Sequence, residues 1–189
     1  MTTTMNESSV KPGPVRLSVR SLLYCAVLIP VAVAALIAVP AGRSERAKSW
    51  WDSWRARLLG TPPAPGQHAA PVAVLRHALL SIALGVAALP ALGVQVLLLL
   101  RGVLYGLVDR GPYDHSWGGP SRAGAWLVHF LVGVPIAVAG LAALVGIAAV
   151  HQRLTASLGG ERPARWLIPA TVLIVLAAAA LVVAWTRQI

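Results

Sequence analysis

The sequence is poor in acidic residues and has a single cysteine, and both shortages narrow what the chain can do. Its 189 residues include 6 Asp and Glu against 16 Lys and Arg, and no acidic residue stands inside its long apolar runs. An intramembrane proton relay would need acidic partners at that depth. The lone cysteine, Cys25, lies in the first apolar run. It excludes an intrachain disulfide and a metal site built from several cysteines.

Motifs that would indicate catalysis are also missing. No glycine-rich phosphate loop is followed by Lys-Ser or Lys-Thr, and neither HExxH nor GxSxG occurs. No nucleophile and base stand near each other inside a predicted cavity. We therefore expect a protein that is not an enzyme and that uses no cofactor or metal.

Charged residues make up 12% of the chain and hydrophobic residues 57%, whereas soluble domains carry about 25% charged residues. The apolar residues fall into long runs, which is typical of a multi-pass protein of the cell (plasma) membrane. The net charge is +10, and the arginines stand just outside the apolar runs, where they would meet lipid headgroups. This placement favours the lipid bilayer, and not nucleic acid, as the partner.

The order of apolar and polar segments predicts an all-α membrane protein with about four transmembrane helices and a short amphipathic interfacial helix. Residues 1–20 are predicted to be a disordered polar tail and 21–41 the first transmembrane helix. An amphipathic juxtamembrane helix follows at 43–60, then a proline-rich linker at 61–77. Residues 78–189 form a three-helix bundle with a polar loop at 105–122. The first run has two alternatives, a cleaved signal peptide and a re-entrant hairpin at Pro30.

The 43–60 segment reads RSERAKSWWDSWRARLLG. At helical spacing Trp51 and Trp54 share one face with Trp50 beside them, and Arg55 and Arg57 lie largely elsewhere. This pattern favours a helix in the headgroup layer. The alternative is a helix that packs its tryptophan face on neighbouring spans.

Two further tryptophans, Trp166 and Trp185, bound the last apolar run. They are separated by about 28 Å at helical rise, which matches the thickness of the bilayer core. We predict that they lie at the two membrane interfaces. The distribution of Lys and Arg places the basic helices in the cytoplasm and the 105–122 loop outside.

Two polar residues lie inside predicted spans, Gln95 in the second and His129 in the third. Polar residues at that depth are candidates for function. We hypothesise a hydrogen bond between them across the two helices. The alternative is that the bond serves packing alone.

The densest polar region is the loop at 105–122, where we place a candidate ligand or sensing site. Its residues are Asp114, His115, Ser116, Trp117, Gly118, Gly119 and Pro120. One alternative is a tight turn between spans, with Ser121 or Pro120 starting the next helix. A weaker one is a divalent metal bound by Asp109, Asp114 and His115.

The stretch from Asp114 to Ser121, followed by Ala-Gly-Ala-Trp at 123–126 and by His129, resembles the sensor domain of actinobacterial membrane proteins. That domain occurs in some sensor histidine kinases and in free-standing forms. The basic helix from His151 to Gly159 matches the end of the family's span, and Arg55 to Gly60 resembles the family's first half. Two features depart from the family: a short first half, and a fourth span in place of a transmitter domain. The resemblance implies a sensor-like module that acts through a partner.

Two functions from different classes therefore stay open. The first is a non-enzymatic, sensor-like membrane protein that acts through a membrane protein partner or by self-association. The second is a small transporter, or an accessory subunit of a membrane complex. Transport predicts an aqueous cavity lined by polar side chains around Gln95 and His129.

Overall fold

A computed structural model describes residues 13–62, 68–108 and 111–187. Within these ranges the chain forms α1 Pro14–Ala38, α2 Ser44–Trp54, α3 Pro71–Leu97, α4 Tyr105–Val108, α5 Arg122–Ala156 and α6 Leu167–Thr186. Wider π-helical turns extend α2 (Arg55–Leu59) and α3 (Leu98–Val103), and a 3₁₀ turn ends α5 (Ser157–Gly159). The helical segments Pro14–Ala38, Pro71–Val103, Arg122–Gly159 and Leu167–Thr186 are long and apolar enough to cross a membrane. The prediction of an all-α protein with four membrane-spanning helices is confirmed.

Two helices begin earlier than the sequence predicted, and both begin at a proline. α1 starts at Pro14, so residues 14–20 are helical and do not belong to a disordered tail; residues 1–12 lie outside the described part. α3 starts at Pro71, which shortens the linker predicted at 61–77, of which 63–67 are not described. Proline suits the first position of a helix because a backbone N–H at that position would have no partner within the helix. Its ring also holds φ at a helical value.

The core forms where α1 packs antiparallel along α3. Leu28 of α1 meets Leu84 of α3, and Ala35, further along α1, lies in a cluster with Val74, earlier in α3. Gly85 packs closely on α1: a Cβ added there would lie 2.6 Å from Cγ1 of Ile29 and 3.3 Å from its backbone nitrogen. α5 completes the core from the other side, with Leu144 packed against the same cluster.

α2 turns back along α1 and does not lie free in the headgroup layer. The turn uses Gly42 at φ +74. Ala47 then packs with the alanines at the end of α1, and Leu58 packs beside Leu28. Small side chains along α1 leave a groove that the tryptophan face of α2 fills. The structure therefore agrees with the alternative prediction, in which the tryptophan face packs on neighbouring spans.

The residues predicted at the membrane interface consequently divide into two groups. Trp51 is 1% exposed and Arg55 is also buried inside the protein, so the predicted lipid contact of these two is wrong. Trp50 and Trp54 are half-buried and Arg57 is exposed. Trp166 and Trp185, at the two ends of α6, are each 44% exposed.

We expect Gly85→Val to destabilise the protein, because its side chain would collide with both the side chain and the backbone of Ile29. Overpacking of this kind costs about 1–3 kcal/mol. Thermal unfolding of the purified protein in mild detergent measures the loss. Gly146→Val is the matched control, since a Cβ there meets nothing within 4 Å. Equal losses in both variants would contradict the tight α1–α3 contact.

Candidate functional site: a buried histidine–hydroxyl network

α3 and α5 carry the same local motif, a histidine followed four residues later by a hydroxyl residue. His77 and Ser81 form it in α3, and His151 and Thr155 form it in α5. Residues four apart share a helix face, and the antiparallel packing of the two helices brings the pairs together. All four are at most 3% exposed. We call these four residues and Tyr24 of α1 the histidine–hydroxyl network.

Each hydroxyl of the two motifs binds the opposite histidine. Ser81 Oγ donates to the carbonyl oxygen of His77 at 2.7 Å, so it accepts from Nε2–H of His151 at 2.8 Å. Thr155 Oγ1 donates to the carbonyl oxygen of His151 at 2.9 Å, so it accepts from Nε2–H of His77 at 3.3 Å. The two motifs thus exchange hydrogen bonds across the helix interface, of which the Thr155–His77 bond is the longer.

Tyr24 joins α1 to this exchange. Its hydroxyl lies 2.8 Å from Nδ1 of His151. Because Nε2 of that ring already carries a proton, Nδ1 is the acceptor and Tyr24 is the donor. Every hydroxyl proton in the network is therefore committed to a bond, and His151 has both ring nitrogens engaged. The arrangement holds three spans together.

α2 covers the network with an aromatic ring. The ring of Trp51 meets that of His77 edge to face, with centroids 4.6 Å apart and an interplanar angle of 84°. The next residue, Asp52, pairs with two cations: its Oδ2 lies 3.2 Å from Nζ of Lys48 and its Oδ1 lies 3.4 Å from Nη1 of Arg55. These two largely buried cations share one carboxylate, which leaves an excess positive charge against the core.

The cover is incompletely hydrogen-bonded. Nε1 of Trp51 and Nε of Arg55 are both buried and have no hydrogen-bond partner among the described residues. Leaving a buried donor unpaired costs about 1–3 kcal/mol. In the network beneath, every hydroxyl and both ring nitrogens of His151 are hydrogen-bonded, whereas packing of α2 over it leaves two buried donors unpaired.

The predicted hydrogen bond between Gln95 and His129 is not formed. Gln95 Nε2 donates to the carbonyl oxygens of Ala91 at 3.2 Å and Ala137 at 3.0 Å. Ala137 lies about 12 Å along α5 from His129. The Nδ1–H of His129 instead donates to the carbonyl oxygen of Ala125 at 2.7 Å, and its ring stacks on Tyr105. The prediction failed because equal distance from the connecting loop does not fix which face each side chain occupies.

The loop predicted to sense a ligand folds as a turn stapled to the start of α5. Ser121 caps that helix, its Oγ accepting from the backbone N–H of Gly124 at 3.1 Å. Gly118 packs so closely on Gly124 that a Cβ on either residue would overlap the other's backbone. Gly119 adopts φ +83, and its N–H donates to the carbonyl oxygen of Ser116 at 3.0 Å.

The side chains of this loop do not converge on a common centre. Asp114, His115 and Pro120 are exposed, and Trp117 is 86% exposed. The Oγ of Ser116 is buried without a partner in the described part of the chain. Asp109, which the metal alternative needs, lies outside the described residues.

A cavity of about 490 Å³ lies between α3, α5 and α6. It is lined by Ala, Gly, Pro, Val, Ile and Leu side chains, at Ala87, Pro90, Ala91, Val94, Ile136, Ala139, Gly140, Ala143, Gly146, Ile147, Ile174, Ala177, Ala178 and Leu181. Neither Gln95 nor His129 is among them, so this cavity is not the polar one that transport predicts.

Comparison of the chain with protein-family models, with curated proteins and with solved structures returns no match. The resemblance of the Asp114–Ser121 stretch to the actinobacterial sensor domain therefore stays a prediction that rests on those residues. The function must be argued from the geometry of the chain itself.

None of the five network residues was predicted from the sequence. His77 falls at the end of the predicted linker, and His151 enters the sequence analysis only as the start of the basic helix of the family resemblance. The usable signal was the repeated spacing His-x-x-x-Ser/Thr on two long apolar helices, at 77–81 and 151–155. Tyr24 carries no such signal, because its role depends on how α1 packs.

We expect Ser81→Ala and Thr155→Val each to destabilise the protein by about 1–3 kcal/mol, because each leaves the opposite histidine with a buried, unpaired N–H. The double variant should lose less than the sum of the two, since the bonds form one exchange. Unfolding in mixed detergent micelles measures all three.

Matched controls exist for both changes. Ser53→Ala and Thr186→Val remove hydroxyls that also donate to a backbone carbonyl of the preceding turn but are exposed; they should cost below about 0.5 kcal/mol. If each network variant lost only about 0.6 kcal/mol of unfolding free energy, the average for a bond between membrane helices, and the losses were additive, the network would contribute no more than ordinary helix packing.

Gly118→Ala should detach the loop from α5, because its Cβ would overlap the backbone of Gly124. We expect faster proteolysis between residues 111 and 121 and a lower melting temperature. Asp114→Ala, at an exposed position of the same loop, is the control and should change neither. Unchanged proteolysis of Gly118→Ala would show that the staple is dispensable.

Proposed function

We propose that this chain is a non-enzymatic, sensor-like protein of the plasma membrane that responds to its lipid surroundings and acts through a membrane protein partner. The movable element is the α2 arm, Ser44–Leu59. The receiver is the histidine–hydroxyl network, which joins α1, α3 and α5. The contact between them is the edge-to-face pair of Trp51 and His77.

The observation that carries the proposal is the unequal hydrogen bonding on the two sides of this contact. On the network side every hydroxyl and both ring nitrogens of His151 are hydrogen-bonded, whereas the arm buries two unpaired donors and shares one carboxylate between two cations. Burial of Trp51 favours docking of the arm by about 3–5 kcal/mol. The unpaired donors oppose it by about 1–3 kcal/mol each. Terms of similar size and opposite sign give an arm whose docked and released states lie close in free energy.

Release of the arm would change the surroundings of the network. His77 would lose its aromatic cover, and water would gain access to an exchange that is now dry. Since the bonds of the exchange form together, its loss would free three spans at once. A change at the membrane surface would in this way reach the helix faces that a partner contacts.

Catalysis and transport find less support. The hydroxyl protons of the network are all committed to bonds, and the described residues bring no three His, Cys, Asp or Glu side chains together as a metal site. The 490 Å³ cavity is lined by apolar side chains, which suits lipid or a helix better than a polar solute. A role as an accessory subunit would keep the same contacts but with an α2 arm that stays docked.

The proposal predicts two populations of the arm that shift with the bilayer. In a Cys25→Ala background, spin labels at Ser53 of α2 and Glu161 beyond α5, both exposed, report the distance between arm and bundle. Double electron–electron resonance should show two distances whose ratio changes between phosphatidylcholine and phosphatidylglycerol nanodiscs. Trp51→Ala should leave mainly the released distance, because it removes the largest docking contact.

Ser49→Ala is the control on the exposed side of the same helix and should keep the wild-type ratio. A single narrow distance in both bilayers, retained in Trp51→Ala, would rule out a moving arm. The chain would then be a static scaffold, and the accessory-subunit alternative would be preferred.

A further inference from the structure

A second concave surface lies at the turn between α1 and α2. It is a groove of about 340 Å³ with a floor of Ala34, Ile37, Ala38 and Ala41 at the end of α1. Its rim carries Arg43, Arg46 and Trp50. Ile37 is 71% exposed, so the floor continues outward into the lipid-facing side of the span. The floor of the groove is thus apolar and its rim is cationic.

The two arginines of the rim are uncommitted. Both are exposed, and neither makes an ion pair with another described residue. The nearby acidic residue, Glu45, has its Oε1 3.3 Å from Nδ1 of His68, and none of the described residues that line the groove is acidic. A rim with two positive charges and no negative one selects an anionic group over a zwitterionic one.

The apolar floor and Trp50 further narrow the choice of ligand. An anion from solution would gain nothing from Ile37 and Ala34, whereas a phospholipid places its glycerol and first acyl carbons there. The half-buried ring of Trp50 suits the boundary between headgroup and acyl chain. The rim follows directly on an apolar helix end, at the level where headgroups lie.

We infer that this groove binds one anionic phospholipid, with its phosphate between Arg43 and Arg46 and its acyl chains against Ala34 and Ile37. Arginine guanidinium groups bind phosphate in a bidentate manner, which fixes the headgroup as well as attracting it. The site shares no residue with the histidine–hydroxyl network. Because Arg46 and Trp50 belong to the α2 arm, lipid binding needs the arm to be docked but does not require it to move.

Native mass spectrometry of the full chain in mild detergent tests this inference. The protein is titrated with phosphatidylglycerol or phosphatidylcholine of identical acyl chains, and bound lipid is counted. The wild type should hold one phosphatidylglycerol in preference to phosphatidylcholine. Arg43→Gln with Arg46→Gln should lower that preference roughly tenfold to thirtyfold, from about a fivefold effect per surface arginine.

Two further variants separate the groove from general charge attraction. Arg162→Gln with Arg165→Gln removes two exposed charges outside the groove and should keep the wild-type preference. Ala34→Phe, which fills the floor, should weaken binding of both lipids while leaving the melting temperature within a few degrees of wild type. Equal affinity for the two lipids in the wild type, or an equal loss in the Arg162/Arg165 variant, would overturn the inference.

Discussion

The crossed exchange between His77–Ser81 and His151–Thr155 is the interaction on which the bundle depends. Apolar helices gain little from each other inside a bilayer, because lipid tails are as apolar as their side chains. Hydrogen bonds between helices and close backbone contacts must supply the specificity. Here the exchange fixes the register of α3 against α5, Tyr24 adds α1 to it, and Gly85 lets α1 and α3 approach closely.

The position of this network explains why α2 folds back. Arg153 lies two residues beyond His151, and its guanidinium sits 5.1 Å over the ring of Trp166, the predicted interface marker. The prediction that Trp166 lies at the interface would bring interfacial water within reach of the network. Water there competes for every donor and acceptor of the exchange. The alanine face of α1 and the ring of Trp51 keep it dry, which makes α2 a structural requirement of the network.

The sequence was informative about elements and much less so about contacts. Apolar runs of span length are set by the bilayer, so four spans could be predicted from hydrophobicity alone. The Ser121 cap and the tight glycine turn followed from local chemistry. The partners of Gln95, His129 and Trp51 could not be predicted, because they depend on helix rotation and on which surface offers a groove. An amphipathic pattern says that a face is apolar but not whether lipid or protein covers it.

The same argument accounts for the arrangement of charge. α5 has 35 residues, about 52 Å at helical rise, so it extends well beyond a core of about 30 Å. Buried cations are tolerated only where a charged partner or headgroup is near. Arg55 and Lys48 share Asp52 at the level of the network, and Arg43 and Arg46 stand uncommitted at the other end of the same arm. The arm is held by apolar contacts along its length and has unbalanced positive charge near each end. Under the proposed function, this charge is what couples the position of the arm to the headgroups around it.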